Sequence, residues 1–300
     1  MRLELRGRSL ELEQGRPLLM GIVNASPDSF SDGGRFGGAE GLAARARELV
    51  AAGAALIDVG GESGVTNTAP ISAAEEAERV VPVVERLTGE GVTVSVDTWK
   101  PEVAREALLA GAAIVNDTSG LRDPGVAHAC AEAGAALVIT HTRAAPKVKD
   151  FPDYDDVVAD VQGFLRERIE VARTQGVGER SIVLDPGPDL GKTPAETVAA
   201  LRALSALAEL GYPLLLAVSR KDFVGAITHR RPRARLAGTL AAVEAGVSAG
   251  AAIVRVHDVA EVSDYLRVRA VLRGEERVPA DLRLAEELRR EPPAHEEPAA

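Results

Sequence analysis

Asn24, Asp97, Asn116, Asp185, Lys221, Arg255 and His257 stand at the ends of short apolar runs, where a sequence of this kind does its chemistry. Asp97 and Asp185 each close an aliphatic run (TVSVDT and IVLDPG). A carboxylate there is only partly solvated and needs a donor partner, or its pKa rises. A ligand with adjacent N–H donors, such as the edge of a guanidine-like ring, is one natural partner; a structural ion pair or the cap of the next helix is the other. Lys221, Arg255 and His257 bring donors and positive charge. Arg255 and His257 are two apart on one run and so point the same way, with Val256 on the opposite face. The alternative for this pair is a solvated rim. One side of such a cluster suits a flat heterocycle and another suits phosphate. A sugar site would more naturally be a carboxylate pair, and a zinc site would need His/Cys ligands at closer spacing.

Other polar residues at run ends are Glu62, Asp117, His141, Arg143, Arg220 and Asp258. In DPGPDLGKT (185–193), backbone N–H groups and Lys192 would either contact phosphate or form a structural turn; the P-loop spacing is absent. His141 is either a ligand contact or a satisfied strand-end histidine. The stretch 24–36, with Ser26-Pro27-Asp28 and Gly33-Gly34, reads as a mobile lid. The stretch after Asp58 (DVGGESGVTNTAPIS) is polar, yet no Lys or Arg falls between Gly61 and Glu78.

Eight apolar runs position these residues: 18–26, 56–63, 93–98, 113–120, 136–143, 182–187, 214–221 and 251–258. They are rich in Val, Ile and Leu without clean alternation, as buried parallel strands are. Ala/Leu/Glu/Arg-rich segments of helical spacing separate them, several stopping at Gly53, Gly111, Gly176 and Gly211. Pro101 sits at an expected helix start. The alternation predicts an α/β fold, a (β/α)8 TIM barrel with its site at the C-terminal ends of the strands. A doubly wound open sheet is the runner-up, weakened because no GxGxxG follows the first strand.

The predicted organisation is a single barrel domain over residues 1–275, opened by a short N-terminal strand pair. A charged tail follows over 276–300, a last helix and then partial disorder. The 300 residues carry a formal net charge of −10, which argues against a nucleic-acid or anionic-membrane surface. The single Cys130 allows no intrachain disulfide and fits a reduced, cytoplasmic setting. The charged N-terminus lacks the apolar core of a signal peptide, and no apolar run approaches the ~18 residues needed to cross a bilayer.

The ordered set MGIVNASPDSFSDGG, DVGGES, SVDTWKPEVAREALLAGAAIVNDTSG, LDPG…GKT, SRKDFVG and RVHDV, from about residue 18 to 260, resembles the dihydropteroate synthase family of the pterin-binding superfamily. The resemblance implies a transferase of folate biosynthesis. It joins 6-hydroxymethyl-7,8-dihydropterin pyrophosphate to p-aminobenzoate and releases pyrophosphate. Asp97, Asn116, Asp185 and Lys221 match the pterin-pocket positions, Asp185 facing the 2-amino/N3–H edge. Arg255 matches the residue that covers the pterin and helps hold pyrophosphate, and His257 and Asn24 match the remaining pyrophosphate and Mg2+ contacts. Catalysis would rest on Asp97, Lys221, Arg255 and His257, and a homodimer is the implied assembly.

The sequence departs from the family on the acceptor side. The usual Thr-Arg after Gly61-Glu62-Ser63 is replaced by Gly64-Val65, and Thr66 or Asn67 supplies no charge. Asp222 stands where the family has the Ser that meets the acceptor carboxylate; it either repels that carboxylate or caps the helix beginning there. Ala25-Ser26 replaces Val-Thr, and Pro188-Asp189-Leu190 replaces Ile-Gly-Phe. A pterin-binding paralogue with another acceptor, or none, is therefore the alternative. A pterin-dependent methyl transferase is disfavoured because Asn24, Arg255 and His257 remain.

Overall fold

The structure, a computed structural model, describes residues 1–25, 38–62 and 69–289. The expected lid at Ser26-Pro27-Asp28 and Gly33-Gly34, the substituted positions Gly64 to Thr68, and the tail beyond residue 289 lie outside the described residues.

Eight parallel strands close into a barrel: β3 (Leu18–Asn24), β4 (Leu56–Gly60), β5 (Val94–Asp97), β6 (Ile114–Asp117), β7 (Ala136–Thr140), β8 (Ile182–Asp185), β9 (Leu214–Leu216) and β10 (Ala251–Val256), with β10 pairing back onto β3. The helices between and after them are α1 (Gly38–Ala51), α2 (Ala73–Gly89), α3 (Pro101–Leu109), α4 (Gly125–Ala133), α5 (Val157–Thr174), α6 (Pro194–Arg202), α7 (Leu204–Ala208), α8 (Asp222–Thr228), α9 (Leu236–Ser248) and α10 (Val259–Leu272). This is the expected (β/α)8 barrel, and Pro101 opens α3 as its spacing predicts.

Strand parity divides the core. Ile57, Val59, Val94, Val96, Leu137, Ile139, Leu184, Leu216 and Val254 point outward and pack against the helices. Met20, Leu56, Ile114, Val138, Val183, Leu215 and Ile253 form a separate cluster inside the barrel. An antiparallel hairpin, β1 (Arg2–Leu5) and β2 (Arg8–Glu11), adds Leu3 and Leu5 to the inner cluster, as does Leu12 just after it. The hairpin therefore seals the barrel floor and leaves the opposite mouth for the site.

The α-helix expected after residue 276 does not form in the described part of the tail, which holds only a 3-10 turn at Glu286–Leu288. The cause is physical: residues 272–289 are exposed throughout, so Leu282, Leu284 and Leu288 find no surface to bury against. Short helices without a docked apolar face are marginal in water.

Candidate active site

On four of the strands, the same face turns polar two residues beyond an inward-facing aliphatic. Leu56 is followed by Asp58, Ile114 by Asn116, Val183 by Asp185 and Ile253 by Arg255, then His257. The period of two makes this one layer stacked on the apolar floor. Register aligns part of it, since Asn24 pairs with Gly60, Gly60 with Asp97, and Asp97 with Asn116.

Arg255 joins the layer. Its Nε donates to Asp58 Oδ2 at 2.6 Å and its Nη2 to Asp97 Oδ2 at 2.8 Å. Asn116 Nδ2 donates to the same Asp58 oxygen at 3.1 Å, and Thr118 Oγ1 donates to Asp97 Oδ1 at 3.4 Å. Burial works against the Arg255 charge, but Asp58 and Asp97 outweigh it and keep the guanidinium ionised. Asp97 is pushed above the usual carboxylate range by burial, with Asp58 and Glu76 adding to the shift and Arg255 opposing it. Raised to about 7, Asp97 is only partly ionised at neutral pH, while Arg255 stays charged between the two carboxyl groups.

Asp185 is 3% exposed, and its Oδ1 accepts the Gly187 N–H at 2.8 Å. Burial raises its pKa, and the Gly187 N–H, Lys221, Lys192 and Arg255 only partly offset it. Gly187 has φ +65°, and a Cβ there would lie 2.0 Å from the His141 carbonyl oxygen, so only glycine makes this turn. Lys221 is the N-cap residue of α8, and its ammonium is not used for capping. Burial lowers its pKa, while Asp189, Asp185 and Asp97 pull the other way. Asn24 is exposed at the end of β3.

Several expectations need correction. His257 was expected to carry positive charge. Its pKa is instead lowered to about 4 by burial and by the neighbouring cations Arg255 and Arg220, so the ring is neutral at pH 7. Its Nδ1 shares a 2.9 Å hydrogen bond with Ser219 Oγ. Lys192 does not face a phosphate. It is 1% exposed and donates to the carbonyls of His141, Gly187 and Leu190 at 3.2, 2.9 and 3.2 Å, which is the structural-turn alternative. His141 is a buried strand-end residue, 0% exposed and bonded through Nε2 to Asp160 at 2.9 Å with Phe164 edge-on, but it is only half satisfied, since its buried Nδ1 has no hydrogen-bond partner. Asp117 turns away from the site and ties the following turn through the Ser119 N–H and hydroxyl. Asp222 does not cap α8; its side chain is 86% exposed and pairs with Arg235 at 2.8 Å. The cap is Asp189, whose carboxylate accepts from Asp222 N at 2.5 Å and Phe223 N at 3.2 Å.

Sequence reasoning missed Asp58 and Asp189. Asp58 carried a signal: it is the sole charged residue inside LIDVG, and its parity with Leu56 points it inward. Asp189 had a weaker one, its departure from the family pattern, but its capping role was hidden because its partners lie 33 and 34 residues away. The absence of cations after Gly61 also finds an explanation across the chain. Lys100 Nζ meets Glu62 Oε2 and Glu76 Oε2, each at 2.7 Å, and Lys147 Nζ lies 4.0 Å from Glu62 Oε1.

A cleft of about 580 Å³ opens beside the layer, walled by Trp99, Pro146, Phe151 and Leu190 and bearing Lys221, Asp189, Asp222 and His257. The cleft with its aromatic wall thus adjoins a layer rich in carboxyl groups. This arrangement fits two substrates, one rich in N–H donors.

Residues 20–257 match the family described as "Pterin binding enzyme". Over 250 residues the chain is 42% identical to the dihydropteroate synthase of Bacillus subtilis (strain 168), covering 83% of this chain and 86% of that protein. Two solved structures of the Xanthomonas albilineans dihydropteroate synthase are similar, each 42% identical and each covering 93% of this chain and 100% of theirs. One, with 4-aminobenzoic acid, has a TM-score of 0.85; the other, in complex with 7,8-dihydropteroate, has 0.82. The chain belongs to the pterin-binding enzymes and, within them, to the dihydropteroate synthases. Among the described residues, no helix is long and apolar enough to cross a membrane.

Proposed function

We infer that this transferase condenses 6-hydroxymethyl-7,8-dihydropterin pyrophosphate with p-aminobenzoate, releasing pyrophosphate in folate biosynthesis. The observation that carries this reading is the inner polar layer, Asp58, Asp97, Asn116 and Asp185 around Arg255. Asp185 and Asn116 offer acceptors to the N–H edge of a pterin, and Lys221 supplies a donor. As the C–O bond to pyrophosphate breaks, positive charge grows on the pterin methylene carbon. Asp58 and Asp97 favour it electrostatically in a site that is largely closed to water. The arylamine nitrogen then attacks that carbon and loses a proton.

The guanidinium of Arg255, neutral His257 and Asn24 would hold the departing pyrophosphate. Asn24 offers one neutral oxygen, and among the described residues no group of three or more His, Cys, Asp or Glu is gathered for a metal. That donor set fits Mg2+, which keeps most of its waters and takes phosphate oxygens. When bound with pyrophosphate, Mg2+ would neutralise leaving-group charge, with Asn24 as its protein ligand.

The buried thiol of Cys130 is consistent with a cytoplasmic setting. Exposed Val268 and Leu272 on α10 support a homodimer through that face. Purified protein given the pterin pyrophosphate, Mg2+ and p-aminobenzoate is expected to yield dihydropteroate and pyrophosphate in equal amounts. Measurable pterin binding with no product would overturn the reading. It would favour a paralogue using another acceptor, to which the carboxylates of Asp189 and Asp222 in the cleft already point.

A further inference from the structure

The acceptor end of the cleft already contains an anion. Asp189 lies between β8 and α6 at φ +63°, a left-handed conformation that aspartate tolerates and glycine adopts freely. Its carboxylate spans the first amides of α8, accepting from Asp222 N at 2.5 Å and from Phe223 N at 3.2 and 3.4 Å. Thr197 Oγ1 fixes the loop by accepting from Asp189 N at 3.1 Å and donating to Asp189 Oδ1 at 3.4 Å. Lys221, Asp189 and Asp222 line the same cleft. The amides that a carboxylated arylamine would use at the start of α8 are therefore engaged by a side chain of the protein, in the cleft that Lys221 also lines.

We propose that Asp189 is a specificity-determining residue of the acceptor cleft: its carboxylate, seated on the amides of Asp222 and Phe223 beside Lys221, competes with the carboxylate of the arylamine and weakens its binding. This rests on the functional reading above. Two like charges about 4 Å apart disfavour binding by roughly fivefold in a water-like medium, and by far more at lower dielectric. A neutral arylamine escapes that penalty.

The test compares p-aminobenzoate with its neutral ethyl ester, in the wild type and in Asp189→Asn and Asp189→Gly, both compatible with the left-handed backbone. KM is read at saturating pterin pyrophosphate and Mg2+. Equilibrium binding of each arylamine to the protein loaded with pyrophosphate and a pterin is read in parallel. In both variants p-aminobenzoate should bind about tenfold tighter or better, with the ester changed less than about twofold. An acid-to-ester ratio that stays at the wild-type value in both variants overturns the proposal, whatever the turnover. Discrimination that shifts as expected in the binding arm, with no dihydropteroate formed, supports Asp189 and defeats the functional reading instead.

Discussion

The inner layer and the acceptor cleft are built on different supports. Asp58, Asp97, Asn116, Asp185 and Arg255 are strand residues or follow directly on strands, so a closed barrel fixes their spacing. Asp189, Asp222, Trp99 and Phe151 sit in connections or at a helix start. In the layer, Arg255 on β10 reaches Asp58 on β4 and Asp97 on β5 across the barrel mouth, and Asp185 is held by the Gly187 N–H. In the cleft, charge is arranged by loop contacts such as Asp189 on α8 and Arg235 on Asp222. One half of the site is therefore hard to change without damaging the fold, and the other can be rewritten residue by residue. Among the described residues, the departures from the family pattern at Asp189 and Asp222 fall in the second half.

Mutations can break that contrast. Arg255→Met should have the largest effect. It leaves Asp58, 0% exposed, and Asp97 without their cation. Removing one partner of a buried pair costs about 3–5 kcal/mol. Urea unfolding should show that loss together with near-complete loss of turnover. A variant as stable as the wild type would mean that the layer is not held by this arginine.

The second effect is a pH dependence. The folded-state pKa of His257 is about 4, below the unfolded value near 6.5. Between those values the unfolded chain binds more protons, so this residue's contribution is complete above pH 6.5 and is lost as the pH falls toward 4. On moving from pH 7 to 5, the wild type should lose roughly 1–2 kcal/mol more than His257→Gln. Parallel pH profiles would contradict the neutral, buried ring. The smallest effect belongs to Asp222→Ser. Its carboxylate is exposed and screened by Arg235, so KM for p-aminobenzoate should fall by only about two- to threefold. A larger fall would move the acceptor determinant from Asp189 to Asp222.

The pattern of apolar runs explains what could be read in advance. The barrel was legible from eight apolar runs alternating with helical segments, and Asp97, Asn116, Asp185 and Arg255 stood out because they close or interrupt those runs. The residues whose roles were misread depend on contacts distant in sequence. Lys192 resembles a phosphate ligand in DPGPDLGKT, but the fold turns it onto three carbonyls. His257 looks like a cation until burial and two neighbouring positive charges are added. Asp189 acts only because α8 begins beside it.

The most direct test of the two-part site is a calorimetric titration of pterin pyrophosphate with Mg2+, without acceptor, into Asp185→Asn and Asp189→Asn. A hydrogen bond to a buried charged group is worth about 1.5–3 kcal/mol, so Asp185→Asn should bind the pterin roughly 10- to 150-fold more weakly. Asp189→Asn should match the wild type. Equal weakening in both variants, or undiminished pterin affinity in Asp185→Asn, would contradict the assignment of the inner layer to the pterin.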